Sequence, residues 1–389
     1  MAETPCKVAV VGTAQTRYRR IEEQNFPAMI HEAAKGALKD AGISIKDVDA
    51  VVFGSSPEYF VGVNYPEKWC VDAAGGYLKP YMRIHTGGTV GISTAAAGYY
   101  HIASGLYEVV LAVSGDKLTD GSVQAGLATV SYPLYSRKFS AGAVGGAGLG
   151  FREVMNKKGI TLKQATRVAV KQRRNALLNP YAHLKIPGIN EEMVENSKVI
   201  SEPLRVLDSC PTSDGAAAMV FASEKRAEEI TLNPAWVKAV VACSEPPSYV
   251  DRDNIKEPKA LLCAVQRAYA QAGITNPREQ IDVAEVYDPF SFQEILFAEH
   301  MGFALPGKGA ELVESGATEI TGDIPINPSG GVLSANTIGC SAMARAIEAV
   351  LQVRGQAGEH QVKGAKTALA HGWGGTFQFH VVMIFSKEK

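Results

Sequence analysis

The strongest pattern in the chain is an alanine-rich run of helical period that closes on glycine and gives way to a short β-branched stretch. Residues 34–54 read AKGALKDAGISIKDVDAVVFG. That is an amphipathic helix, then Ala41-Gly42-Ile43, a polar turn, an aspartate, and a strand at Val51-Val52-Phe53. Residues 264–288 read AVQRAYAQAGITNPREQIDVAEVYD and repeat the order, with Ala272-Gly273-Ile274 at the turn and a strand from Val283 to Val286. Glycine is expected to end each helix, because a left-handed residue costs least there. A second pair follows in register. GISTAAAGYYHIASG at 91–105 leads to a strand at Val109–Val113, and GCSAMARAIEAVLQVRG at 339–355 leads to one at Thr367–Ala370. Helices with so little on Cβ can pack closely between layers. Chance similarity is the alternative, and the register holding over two successive elements counts against it.

Strands alternating with helices call for α/β units, and two copies call for two similar halves: residues 1–245 and 246–389. Residues 119–205 have another texture, with Tyr-Pro-Leu-Tyr, a glycine-rich run from Gly142 to Gly150 and a basic helix around Val168–Asn175. They are expected to form an excursion over one end of the sheet, where insertions often cover a site.

Bulk properties narrow the function. At 389 residues the chain exceeds what one core usually organises. Its 46% hydrophobic and 20% charged composition is that of an ordinary enzyme, and a formal charge of −1 offers no basic excess to neutralise nucleic-acid phosphates. No apolar run approaches the ~18 residues of a membrane span, and neither end has a targeting layout. The six cysteines (Cys6, Cys70, Cys210, Cys243, Cys263 and Cys340) are scattered without a C-x-x-C pair. That suits reduced thiols in the cytoplasm and argues against a disulfide framework or a zinc site.

The segment Leu207-Asp208-Ser209-Cys210-Pro211-Thr212-Ser213-Asp214-Gly215-Ala216-Ala217 resembles the L-D-C-x-P-x-[ST]-D-G-A-A signature of thiolases of the sterol-carrier-protein and archaeal branch. Asn327-Pro328-Ser329-Gly330-Gly331 resembles the N-x-x-G-G that precedes their histidine loop, and the passage from Ala103 to Leu111 is also typical. The resemblance covers nearly the whole chain in the family's order. It implies an α/β thiolase fold, five layers α-β-α-β-α from two βαβαβαββ halves. It also implies a dimer through edge strands, and chemistry on CoA thioesters beside the carbonyl. Coenzyme A or an acyl-CoA would be substrate, with no covalently held cofactor.

Against that pattern the catalytic positions differ. The family attacks with a cysteine in a segment like R-V-x-A-A-C-A-S-G; here Arg83-Ile84-His85-Thr86-Gly87-Gly88-Thr89-Val90-Gly91 puts Gly88 there, and glycine has no nucleophile. H-D-C-F becomes Tyr287-Asp288-Pro289-Phe290, G-H-P-x-G-A becomes Ala335-Asn336-Thr337-Ile338-Gly339-Cys340, and C-x-G-G becomes Gly372-Trp373-Gly374-Gly375. Ile-His-x-Gly-Gly with Tyr-Asp-x-Phe resembles the thiolase-like aldolases of steroid side-chain degradation. The resemblance implies retro-aldol cleavage with tyrosine in place of cysteine, and a zinc-ribbon plus OB-fold partner subunit. Those aldolases carry a second tyrosine near the Asn336 loop, which this chain lacks.

The candidate residues follow. Tyr287 is either an acid/base or a core tyrosine bonded to backbone. His85 is a proton shuttle or a loop brace, and Asn336 an oxyanion donor or a loop brace. Cys340, at a helix start, is a substitute nucleophile or, by the family's usual alanine there, a small packing residue. Cys210 and Cys70 are expected in the core, and His371 is structural or functional. The resemblance puts Gly87, Gly88, Gly330, Gly331, Gly374 and Gly375 where backbone meets ligand. Lys171, Arg173 and Arg174 are expected on a solvated helix face, with Arg174 able to meet CoA phosphates. The reading is an enzyme that cleaves or forms the Cα–Cβ bond of a bulky 3-oxo- or 3-hydroxyacyl-CoA without an acyl-cysteine, by thiolysis or retro-aldol cleavage. The alternative is a non-catalytic thiolase-fold subunit that binds acyl-CoA or scaffolds a partner.

Overall fold

The computed structural model describes residues 7–21, 23–139, 142–247 and 258–389. Cys6 lies outside them. The strands of the first half are β1 (Val8–Gln15), β2 (Ala50–Gly54), β3 (Tyr81–Ile84), β4 (Val109–Asp116) and β5 (Gly215–Ser223). Those of the second are β6 (Ala235–Ser244), β7 (Val283–Glu285), β8 (Thr367–Gly374) and β9 (Phe379–Ser386). The longer helices are α1 (Phe26–Ala41), α2 (Val90–Ala103), α3 (Gly142–Lys158), α4 (Leu162–Ala176), α5 (Lys259–Ala272), α6 (Phe292–His300) and α7 (Ser341–Arg354).

The sheet order β3-β2-β4-β5-β1-β6-β9-β8-β7 contains the repeat in its pairings. β1 is antiparallel to β5 as β6 is to β9, β4 to β5 as β8 to β9, and β2 is parallel to β4 as β7 is to β8. Even the parallel partner β3 has its counterpart, in an isolated bridge from Ala284 to Ile326. Residues 235–244, placed in the first half by a boundary at 245, instead pair as the second half's counterpart of β1. The alternation along β1 sets the layers. Val8 and Val10 face a central core with Ile92 and Ala95 of α2 and Ala344 and Ile347 of α7. Ala9 and Val11 face an outer core with Met29, Ile30 and Ala33 of α1. A third core packs Leu261, Ala264 and Ala268 of α5 on Val382 and Ile384. The layers run α1, sheet, α2 with α7, sheet, α5.

Glycine ends the repeated helices as expected: Gly42 and Gly273 cap α1 and α5 at φ 69°, and Gly355 caps α7 at φ 71°. Close layering also needs a bare backbone where α2 crosses α7, since a Cβ on Gly91 would lie 2.7 Å from the Met343 amide nitrogen. The excursion spans the gap between β4 and β5, and its glycine-rich run forms the first turns of α3. α4 departs from expectation. Thr161 caps it, but Lys171 and Arg173 are buried, not solvated. Lys171 pairs with Glu294 of α6, and Arg173 donates to the Leu207 and Ser209 carbonyls at 3.0 and 2.9 Å. Polar spacing alone could not reveal acceptors that other elements bring in. Arg174 alone of the three is exposed, paired with Glu319. Among the described residues no helix is long and apolar enough to cross a membrane.

Candidate active site

The carboxyl ends of the parallel strands β2, β4, β7 and β8 converge at one end of the molecule, the usual location of sites in α/β sheets. Tyr287 follows β7. Asn336 lies in the loop before α7, Asp116 ends β4, Trp373 lies near the end of β8, and Gly87–Gly88 precede α2.

Tyr287 is buried, and its hydroxyl donates to Asn336 Oδ1 at 3.3 Å. The same oxygen accepts from Ser341 Oγ at 2.9 Å and the Ile338 amide at 3.0 Å. Asn336 Nδ2 donates to Cys210 Sγ at 3.0 Å. Its backbone is tied to Ser213 by the 2.9 Å bond from Ser213 N. Sulfur is a weak acceptor, so this amide donor can be re-aimed at a stronger oxygen with little loss. The Tyr287 ring meets Trp373 edge to face at 5.8 Å, and Trp373 stacks on Phe377 at 4.1 Å. The indole Nε1 is buried without a partner.

Burial, then the neighbouring Cys210, Asp116 and Cys340, pushes the Tyr287 phenol well above its ordinary value. It keeps its proton at neutral pH, so it suits a donor and not a base. Behind it the loop is held by buried polar pairs. Asp288 accepts from Asn327 Nδ2 at 2.9 Å and from Gln172; Glu285 binds Ser329 and Arg345.

The sequence candidates separate. Tyr287 and Asn336 come together. His85 lies exposed past the end of edge strand β3, near Arg83 and Glu58, and among the described residues it makes no hydrogen bond to either. Cys340 is fully buried, with Thr337 Oγ1 at 3.1 Å, and burial pushes its thiol up to about 12. That is a wall position without a reactive thiolate. His371 is buried against His380 at 3.1 Å, and burial and His380 hold it well below the usual histidine range.

The glycines approach protein. A Cβ on Gly88 would lie 2.6 Å from the Trp373 carbonyl oxygen, and one on Gly374 would lie 2.5 Å from the Gly88 nitrogen. A Cβ on Gly87 would lie 3.3 Å from the Gly375 nitrogen. Gly330 and Gly331, at φ 90° and 59°, lie against Ala176 and against Gln172 with Asn327. At these positions glycine lets neighbouring segments pack closely on the backbone.

Three neighbours were not legible as site residues. Cys210, expected in the core, is only part-buried and touches Asn336; burial pushes its thiol up to about 11. Trp373 reads as a replacement in a glycine loop. Asp116 is a fully buried strand residue whose Oδ1 accepts from Ser55 Oγ at 2.9 Å and Ser56 N at 3.0 Å. Among the described residues no group of three or more histidines, cysteines or carboxylates is placed to hold a metal ion.

Comparison with known proteins adds to this geometry. Residues 8–225 match the thiolase N-terminal domain and residues 243–387 the thiolase C-terminal domain-like family. Acetyl-CoA acetyltransferase of Methanothermobacter thermautotrophicus is 35% identical, across 98% of this chain and 99% of its own length. The 17-hydroxy-3-oxo-4-pregnene-20-carboxyl-CoA lyase of Mycobacterium tuberculosis is 30% identical, across 90% and 92%. A solved structure described as an Ltp2-ChsH2(DUF35) aldolase superposes with a TM-score of 0.86 at 26% identity, across 99% of both chains.

Proposed function

This chain belongs to the thiolase family and has its five-layered fold, and from that premise we propose that it breaks or forms the Cα–Cβ bond of a bulky 3-oxo- or 3-hydroxyacyl-CoA without an acyl-enzyme. The carrying observation is the pair of facts at the site. The sequence resemblance puts Gly88 at the position of the family's nucleophile, where a Cβ would lie 2.6 Å from the Trp373 carbonyl oxygen, while Tyr287 and Asn336 meet in a polar, hydrogen-bonded cluster. Tyr287 donates its proton or a hydrogen bond to the oxygen that gains charge, and Asn336 Nδ2 turns from Cys210 to the thioester oxygen. The steroid-CoA lyase among its relatives supports a bulky acyl group. A non-catalytic subunit would have no need of this donor pair.

The aldolase whose description names a DUF35 component supports a second, different subunit. We assign it the zinc-ribbon and OB-fold character that the resemblance to the thiolase-like aldolases implies. A homodimer would form through β3, the outer strand of the first half, beside the exposed Trp69, Tyr77, Leu78 and Met82. The cytoplasm is the compartment that suits its free thiols.

The test supplies 3-hydroxyacyl- and 3-oxoacyl-CoAs to the chain, alone and co-purified with a second subunit, with and without free CoA. Cleavage of the alcohol without CoA identifies retro-aldol chemistry; cleavage of the ketone only with CoA identifies thiolysis. A trapped acyl adduct on any cysteine, found by mass spectrometry of quenched enzyme, would overturn the proposal.

A further inference from the structure

Either reaction proposed above has to move one proton. In retro-aldol cleavage it leaves the β-hydroxyl; in thiolysis it leaves the CoA thiol; in both it ends on Cα of the departing enolate. Tyr287 already holds its proton, and Asn336 is a neutral amide. Cys340, its thiol pushed up to about 12 by burial, holds its proton as well, and His85 lies out at the strand end.

Asp116 remains. Its carboxyl is fully buried, and while Oδ1 accepts two hydrogen bonds, Oδ2 has no partner. The hydroxyl of Ser56 beside it is also buried, with no partner at full hydrogen-bond distance although it helps to hold charge on Asp116. Buried polar atoms are nearly always satisfied within the protein, so two orphans side by side mark a place built to receive another group. The fold brings this place to the site. A Cβ on Gly339 would lie 2.4 Å from the Asp116 carboxyl carbon, so glycine there lets the carboxyl lie directly against the Asn336–Cys340 loop. Ser114 Oγ anchors the same loop through the Gly339 carbonyl. Charge on Asp116 is felt at Tyr287 and at Cys340, which face it from the second half; from the first half Arg83 faces it.

We propose that Asp116 is the proton carrier of the reaction, acting through Oδ2, the carboxylate oxygen left without a hydrogen-bond partner. The step balances without a further base. The O–H bond of the β-hydroxyl, or the S–H bond of CoA, breaks as the Oδ2–H bond forms. In thiolysis the CoA sulfur then bonds to Cβ; in both reactions Cα–Cβ breaks to leave an enolate, and the Asp116 proton passes to Cα, restoring the carboxylate. In reverse, Asp116 removes the α-proton of an acyl-CoA. Burial raises this carboxyl to about 7, only partly offset by the Ser56 and Ser55 hydrogen bonds and by Arg83, which suits a group that takes and returns a proton near neutrality.

This inference rests on the proposed CoA-thioester chemistry, and one assay separates the two. The full chain, with any co-purifying subunit, is incubated with acetyl-CoA and propionyl-CoA in D2O, and α-deuteration is followed by mass spectrometry. The wild-type rate should rise through pH of about 7. Asp116→Asn, which keeps an acceptor for Ser55 and Ser56, should lose about 10²-fold or more and the pH dependence with it, while acyl-CoA affinity stays within about threefold. Exchange by Asp116→Asn within about threefold of wild type overturns the role of Asp116 and leaves the reaction class standing. A wild-type rate flat from about pH 6 to 8 does the same, and it decides the matter if the variant does not fold. A wild type that neither exchanges nor cleaves removes the reaction class and Asp116's role together.

Discussion

Tyr287 has a single polar partner at 3.3 Å and a phenol whose proton is held by burial. Tyr287→Phe is therefore expected to keep the fold and lower cleavage by about 10²- to 10⁴-fold; turnover near the wild-type rate on a verified substrate would exclude it as the donor. Cys340→Ala should keep activity and cost about 1 kcal/mol, read by denaturant titration, because the thiol fills a sealed position. Asp116 has a stability signature of its own. A carboxyl raised in the fold binds a proton more tightly folded than unfolded, so stability falls as pH rises from about 4 to about 7 and stays lowered above. Asp116→Asn should accordingly raise Tm more at pH 8 than at pH 5, and an equal shift at both would contradict the raised value. The roles of Tyr287 and Asn336 could be approached from the sequence because they replace histidines in recognisable motifs. Asp116 could not, since a strand-end aspartate becomes notable only when Gly339, more than two hundred residues on, is folded against it. Cys210 is expected in the core, the commonest place for a free cysteine, and it packs against the central core while its sulfur also meets Asn336.

At the level of elements, the repeat was legible because helix caps and strand alternation are local. Gly42, Gly273 and Gly355 end their helices where the pattern places them. Burial of Lys171 and Arg173 in α4 was not legible, because their acceptors, Glu294 and the Leu207 and Ser209 carbonyls, come from two other segments. The crossing of α2 over α7 provides a test. Gly91→Ala pushes a methyl to 2.7 Å from the Met343 nitrogen, a backbone atom inside a helix that cannot swing aside. The expected cost is about 1–3 kcal/mol in urea unfolding, and a neutral result would mean that the layers separate more easily than their contacts suggest.

For the whole molecule, one end of the sheet is an outer strand, β3, with Met82 on it exposed. Met82→Lys should shift the proposed dimer toward a monomer on size-exclusion chromatography, and an unchanged elution would contradict a dimer through β3. The two halves also meet at the catalytic end, where the Gly87–Gly88 loop of the first lies backbone to backbone on the Gly374–Gly375 turn of the second. That turn continues through Thr376 and Phe377 at φ 55° and 65°, conformations that side chains rarely adopt. This contact sets what a nucleophile at position 88 would require. A cysteine there asks the Trp373 carbonyl to move first, since its Cβ would lie 2.6 Å from that oxygen. Each change is unfavourable without the other, so acyl transfer through position 88 is expected only by paired mutation. A laboratory selection for it should return variants at 88 together with changes in 373–377, and single changes at 88 should be missing from the survivors.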